Sequence, residues 1–355
     1  MERKDNVIYR APGYARDFRC KAGDCRDSCC RGWEIDIDSA SEKRYRSVGG
    51  DFGERLRSSI RNGSFILGED ERCPFLNDSG LCDIYTELGE ESLCDICRCH
   101  PRYFEWFGSF KEGGIGLCCE AAAELVLSRP FSLYEEEVPD EEAAGGYDPE
   151  LMEFLLSARK DMLERLNDES LPLGEALCAV MGSAAEVQGC LDMSFPAEKR
   201  TEQVKSDVIP RILACLGELE PIDGSWQPYI GRCGELLPQA DGSADHSLYL
   251  RRTAVYFIYR YFLKSVYDGE ALGYAKLAVF SVLALDTMFR CREAESGSCG
   301  FEDCAEIVKD YSKEVEYCEE NTERLLELFH SEPCFARERL EEAAVSLSGG
   351  NVGNS

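Results

Sequence analysis

The sequence is short of histidine, of basic charge and of long apolar runs. Three histidines in 355 residues, His100, His246 and His330, leave little material for imidazole-based acid–base catalysis. The N-terminus, MERKDNVIYRAPGYARDF, is charged throughout and lacks the apolar stretch, roughly 7–15 residues, of a secretory signal. No run of about 18 consecutive apolar residues occurs, so no membrane partner is expected; the most apolar window, 254–263, contains Arg260. Lys and Arg number 39 against 68 Asp and Glu, a net charge of −29, which opposes nucleic acid as a partner because phosphate neutralisation needs a basic face. The sequence also has no G-x-S-x-G elbow, no GKS or GKT phosphate loop and no H-E-x-x-H. A hydrophobic share of 44% is still enough for a core.

Cysteine is what the sequence has in excess. With 20 cysteines and no export signal, the expected compartment is the reducing cytoplasm, where clustered thiols indicate metal or redox chemistry more often than disulfides. Eleven lie between Cys20 and Cys119, and nine are spread singly from Cys178 to Cys334. Charge divides at the same place: residues 1–130 carry 19 basic and 24 acidic side chains, net −5, and residues 131–355 carry 20 and 44, net −24. Between the halves, EEEVPDEEAAGGYDPE (135–150) has eight acids and no basic residue, the composition of a solvated linker.

The expected organisation is a cysteine-rich metal-cluster region over 1–130, an acidic linker over 131–150, a helical domain over 151–346 and a disordered tail over 347–355. The fold class is mainly α: a cysteine-rich N-terminal region with short hairpins, then an all-α domain. Apolar spacing predicts helices at 151–166, after an Asp148-Pro149-Glu150 cap, and at about 172–190, 199–219, 246–268, 271–291, 302–329 and 335–346. In the first half, 73–85 reads as a hairpin around Asn77–Gly80, 119–128 as a helix, and Gly113-Gly114-Ile115-Gly116 as a turn. No alternation of strands and helices indicates a parallel sheet.

Three groups carry the chemical signal: Cys20-x4-Cys25-x3-Cys29-Cys30, Cys73-x8-Cys82 and Cys94-x2-Cys97-x-Cys99, closed by Cys118-Cys119. Short spacings let one turn of chain present two sulfurs to one metal, as zinc and iron–sulfur sites require. The spacings match neither a ferredoxin run nor a zinc-finger pair, so both metals stay open. The C-x3-C-x2-C loop of radical S-adenosylmethionine enzymes is absent, because Gly32 stands at its third position. His100 reads as structural rather than as a ligand, and the nine later cysteines as small core residues.

Taken together, the first region resembles the flagellin lysine-N-methylase family. The resemblance lies in Phe18-Arg19-Cys20, Asp27-Ser28-Cys29-Cys30-Arg31-Gly32-Trp33-x-Ile35-x-Ile37-Asp38, Cys73-Pro74-Phe75-Leu76, Gly80-Leu81-Cys82-Asp83-Ile84-Tyr85 and Leu88-Gly89-Glu90-x-x-Leu93-Cys94-x-x-Cys97, then Pro101-Arg102-Tyr103 and Cys119. Residues 249–268 are also similar to that family's helical part. The resemblance implies methyl transfer from S-adenosylmethionine to the ε-amino group of flagellin lysines, a flagellin partner, and a cysteine-bound metal centre, iron–sulfur with zinc as the alternative. Its implied ligand pool is Cys20, Cys25, Cys29, Cys30, Cys73, Cys82, Cys94, Cys97 and Cys119. Cys99 and Cys118 look like additions, and Glu120 replaces the family's usual proline.

Lysine methylation needs a neutral amine, so an ammonium of ordinary pKa about 10.4 must be desolvated or deprotonated in the site. The aromatic stretch 249–267 could hold an alkylammonium through cation–π contact, although such density on one helix more commonly means core. A different class of reading, a non-catalytic metal-binding or redox-sensing interaction module, rests on the absence of any recognisable nucleotide loop. Catalytic and donor-binding residues are not assigned by the sequence.

Overall fold

The computed structural model describes residues 6–26, 28–68, 71–139, 146–192, 207–240 and 244–347; the expected disordered tail, save Leu347, lies outside them. The chain is mainly helical. Strand β1 (Asn6–Pro12) opens it, followed by α1 (Ser39–Ser47), α2 (Gly50–Ser58), the two-residue strands β2 (Ile60–Arg61) and β3 (Ser64–Phe65), α3 (Asp83–Leu88) and α4 (Asp95–Cys99). Strands β4 (Arg102–Trp106) and β5 (Phe110–Ile115) then form a hairpin, and α5 (Glu120–Ser128) leads into β6 (Leu133–Pro139). The helical half comprises α6 (Pro149–Asn167), α7 (Leu173–Asp192), α8 (Val208–Glu218), α9 (Trp226–Leu236), α10 (Ser247–Tyr261), α11 (Ser265–Asp268), α12 (Ala271–Ser296), α13 (Phe301–Glu316), α14 (Glu319–Ser331) and α15 (Arg337–Ser346).

Several local expectations are met for the reasons given. Asp148 caps α6 by accepting from the N–H groups of Glu150 and Leu151, with Pro149 in the first turn. Helix α5 falls on 120–128 as its apolar run requires. Helix α12 is apolar on every side and long enough to cross a membrane by length and composition alone, although charged residues interrupt its apolar sequence. It is instead the central core helix, 89% of its apolar window being buried by the helices around it.

Other local expectations are corrected. Within the acidic stretch read as a linker, Leu133–Pro139 form an edge strand antiparallel to β1, and Arg10 Nε pairs with Glu135 Oε1 at 2.7 Å. Its three consecutive glutamates, Glu135 to Glu137, are tolerated there because an edge strand keeps solvent access. The four-stranded sheet has order β4-β5-β1-β6, and β1 runs parallel to β5. Gly113 and Gly114 are not a turn but the interior of β5: a Cβ at Gly113 would lie 2.4 Å from the Tyr9 hydroxyl, and one at Gly114 2.4 Å from that of Tyr103. The 73–85 hairpin reduces to a tight loop with one bridge, Leu76 to Cys82, running into α3. The expected single helix over 302–329 breaks at Tyr317–Cys318, and α1, α2 and α9 add helices that apolar spacing did not indicate.

Two cores result. The large one joins Tyr14, Phe18, Phe110 and Leu117 to the buried faces of the helical half. The small one, Ile35, Ile37, Tyr45, Leu56, Phe65, Phe75, Leu76 and Ile84, includes Cys73 and Cys94. Thus β1 and β5 lock onto the helices, and the chain between them folds around its own thiol-bearing core.

Candidate metal centre

The nine cysteines of the sequence-derived pool gather into two sets that meet at the Cys29-Cys30 dipeptide. Cys25 lies in the loop after β1, where burial, then the neighbouring Cys119 and Cys20 sulfurs, push its thiol up to about 11. Cys29 hydrogen-bonds Cys30 and also feels Cys119 and Cys20, all of which hold it protonated. Cys20, Cys25, Cys29 and Cys119 therefore form one set. Its rim is an ion-pair network: Lys21 Nζ is 2.9 Å from Glu120 Oε1, and Glu120 Oε2 accepts from the Arg26 N–H at 2.9 Å. Glu120, which replaces a proline of the resembled family, is a buried acid tying the Cys20–Cys25 loop to the start of α5.

Cys30 belongs to the second set with Cys73, Cys82, Cys94 and Cys97. The Cys73 N–H donates to the Cys30 carbonyl at 2.9 Å. The hydrogen bond from Cys29, against the cost of burial, lowers the Cys30 thiol to about 7. Burial raises Cys73 to about 12, and Cys30, Cys82 and Cys94 add to the rise. Cys94 is the N-cap position of α4 and hydrogen-bonds Cys97, one turn on, which lowers Cys94 and raises Cys97. Asp38 fixes this geometry: Oδ1 caps α1 through Ala40 and Ser41, and Oδ2 accepts from the Asp95 N–H at 3.0 Å.

Among the described residues, no three donors of this pool lie within 4.8 Å of one another. Gly32 adopts φ +87°, and a Cβ there would sit 3.1 Å from Ile222, so the bend after Cys30 passes close to the helical half. Trp33 stacks on Tyr317 at 5.6 Å and lies 5.4 Å from the His100 ring. Burial lowers His100 to about 4, which keeps it neutral. Cys118 is buried beside Tyr317, outside both sets.

The tyrosines of 249–267 are core in the main: Tyr256, Tyr259 and Tyr261 are buried. Four rings do surround a cation, but it is the chain's own Arg260, 4.4 Å from Tyr103 and 5.2 Å from Tyr261, with Tyr256 and Tyr317 each at 5.7 Å. Glu316 closes this box, accepting from Arg260 at 3.2 Å, Tyr256 at 3.0 Å and Tyr261 at 2.8 Å. An open cavity of about 670 Å³, bordered by Arg10, Phe131, Leu156, Arg159, Lys160 and Tyr259, contains no cysteine.

Not all of the nine later cysteines stand alone in space. Cys299 and Cys304 approach at 3.6 Å beside His246, and Cys291 contacts the Cys233 carbonyl at 3.3 Å. The Cys299-x4-Cys304 spacing, the same as Cys20-x4-Cys25, was the signal available in the sequence; His246, about fifty positions away, had none.

Fold and thiol arrangement define a helical protein carrying a cysteine-rich insertion. Residues 239–340 match the family described as the FliB lysine N-methylase C-terminal domain. Lysine-N-methylases of Salmonella choleraesuis (strain SC-B67) and Salmonella typhimurium (strain LT2) are each 26% identical over 140 residues, 36% of this chain and 34% of the relative. The flagellar biosynthetic protein FliU of Salmonella muenchen is 25% identical over 140 residues, 36% of this chain and 81% of that protein. The chain is similar to this family in its C-terminal part, and the matched part spans about a third of those lysine-N-methylases. No solved structure matches it.

Proposed function

We propose that the chain is a cytoplasmic protein-lysine N-methyltransferase that moves a methyl group from S-adenosylmethionine to the ε-amino group of flagellin lysines and carries a cysteine-ligated metal centre. The observation that carries the reading is the match of residues 239–340 to the lysine N-methylase C-terminal domain; the flagellar relative supports flagellin as the substrate.

The donor set fits a cluster better than a lone zinc ion. Four thiolates on one zinc, with bonds of about 2.3 Å, must crowd within about 4 Å of each other. Among the described residues the close thiol contacts are pairs, Cys29 with Cys30 and Cys94 with Cys97, and no three of the nine lie that close together, a spread that suits sulfurs placed around an iron–sulfide core. Cys20, Cys25, Cys29 and Cys119 would hold one such group, and four of Cys30, Cys73, Cys82, Cys94 and Cys97 a second. An iron–sulfur group supplies one-electron chemistry and a covalent brace for the loops that ligate it. The chain's own residues favour a thiolate in the second set, where α4 points its N-terminus at Cys94, while Lys21 and Arg26 beside the first set are paired with Glu120, Glu124 and Glu306. An acidic body favours encounter with a lysine-bearing substrate, which must then lose its amine proton before attacking the sulfonium methyl.

Anaerobically purified, iron-loaded protein given methyl-labelled S-adenosylmethionine and flagellin should place label on lysine. Loaded protein that neither binds the donor nor labels flagellin overturns the reading and favours a non-catalytic metal or redox module. In the same preparations Cys29→Ser should lose iron and stability together, while Cys215→Ser, in the large core, should keep its iron.

A further inference from the structure

We propose a second, separate metal site in the helical half: one zinc ion held by His246, Cys299 and Cys304. One side chain comes from the start of α10 and two from the start of α13. His246 sits at the N-cap position of α10, Cys299 lies two residues before α13, and Cys304 is in the first turn of α13. Their donor atoms all lie within 4.8 Å of one another, the only such group among the described residues. All three are buried, at 6%, 8% and 0% exposure.

Geometry favours zinc over a disulfide or plain packing. Two sulfurs bound to one tetrahedral zinc at about 2.3 Å lie about 3.8 Å apart. Cys299 and Cys304 stand at 3.6 Å, close to that edge and well beyond the ~2 Å of a sulfur–sulfur bond. The imidazole is already fixed in place. Its Nε2 is 3.0 Å from the Cys299 carbonyl, its ring packs 5.2 Å from Phe289, and the His246 carbonyl accepts from the Tyr249 and Leu250 N–H groups.

Charge gives an independent argument. Zinc bound by two thiolates and a neutral imidazole has no net charge, so burying the assembled site avoids the cost of an isolated buried ion. Binding would release the two thiol protons to solvent. The nearby acids are already engaged: Asp303 pairs with Arg292 and caps the Gly300 N–H, and Asp286 pairs with Arg290. The fourth position would therefore fall to water, and the ion would tie the starts of α10 and α13 beside the end of α12.

The test uses the full chain. Wild-type protein should hold one equivalent of zinc in addition to its iron, and its zinc-edge X-ray absorption should show two sulfurs and one imidazole nitrogen. The N-terminal pool is all thiol, so a histidine nitrogen identifies this site. His246→Gln and the double variant Cys299→Ser/Cys304→Ser should each lose that equivalent and keep their iron. Unchanged zinc in both variants overturns the proposal. If neither variant folds, the wild-type spectrum decides: an all-sulfur shell, no zinc, or a Cys299–Cys304 disulfide in anaerobic protein each overturns it.

Discussion

At the scale of single residues, the side chains that matter most are those whose partners come from distant sequence. Arg211 joins Glu332 through two contacts, Nε to Oε2 at 2.7 Å and Nη2 to Oε1 at 2.5 Å, linking α8 to the turn after α14. The hydrogen bond from Arg211 lowers the Glu332 pKa against the opposing effect of burial. A carboxyl depressed in the folded state contributes stability above its unfolded pKa, about 4.3, and that contribution disappears as pH falls through the lower folded value. Glu332→Gln is therefore expected to cost about 0.5–1 kcal/mol in urea unfolding at neutral pH, the pair being about a quarter exposed, and nothing measurable in acid. The thiols divide by the same principle. The clustering of Cys20 through Cys119 was visible in the sequence because the neighbours within each group lie within a few positions. The approach of His246 to the Cys299-x4-Cys304 pair was not, since it depends on how α10, α12 and α13 cross.

At the scale of elements, helices were easier to anticipate than strands. Apolar spacing located α6, α7, α10, α12 and α15, whose buried faces repeat with helical period. It missed α1 and α2, short and polar, whose burial reduces to a few side chains such as Tyr45 and Leu56. Strand β5 was hidden by its two glycines, which are there to admit the Tyr9 and Tyr103 rings, and β6 by its glutamates. The Glu112–Arg159 pair explains why that sheet sits where it does. Arg159 of α6 reaches both oxygens of Glu112 on β5, at 2.7 and 2.5 Å, and donates to the Tyr259 carbonyl of α10 at 2.9 Å. Both side chains are 4% exposed. Removing one partner leaves a buried charge uncompensated, so Glu112→Gln or Arg159→Met is expected to destabilise by about 3–5 kcal/mol in denaturant unfolding, whereas changing both together should cost less than the sum.

At the scale of the whole molecule, charge is the dominant unsatisfied quantity. A net −29 repels itself in the compact state. Raising ionic strength from low to physiological should therefore raise the melting temperature by on the order of 2 °C, where a protein held by exposed ion pairs would lose stability. Scanning calorimetry in a salt series distinguishes the two. For the proposed methyl transfer, the same screening should slow encounter with lysine side chains of the substrate, visible as a falling kcat/KM at constant kcat.

The placement of β1 has a consequence for how the chain is made. Ile8 pairs with Phe110, about a hundred positions on, and Val7 with Val138 further still. During synthesis the first strand emerges long before either neighbour, and must wait while the thiol-bearing segment is produced and folds upon itself. Metal capture there would shorten the span to be closed and so hasten the final zipping of the sheet. With the proposed iron centre, iron starvation should then appear first as a kinetic fault: chains of full length, with helices formed, whose N-terminal strand stays open to proteolysis.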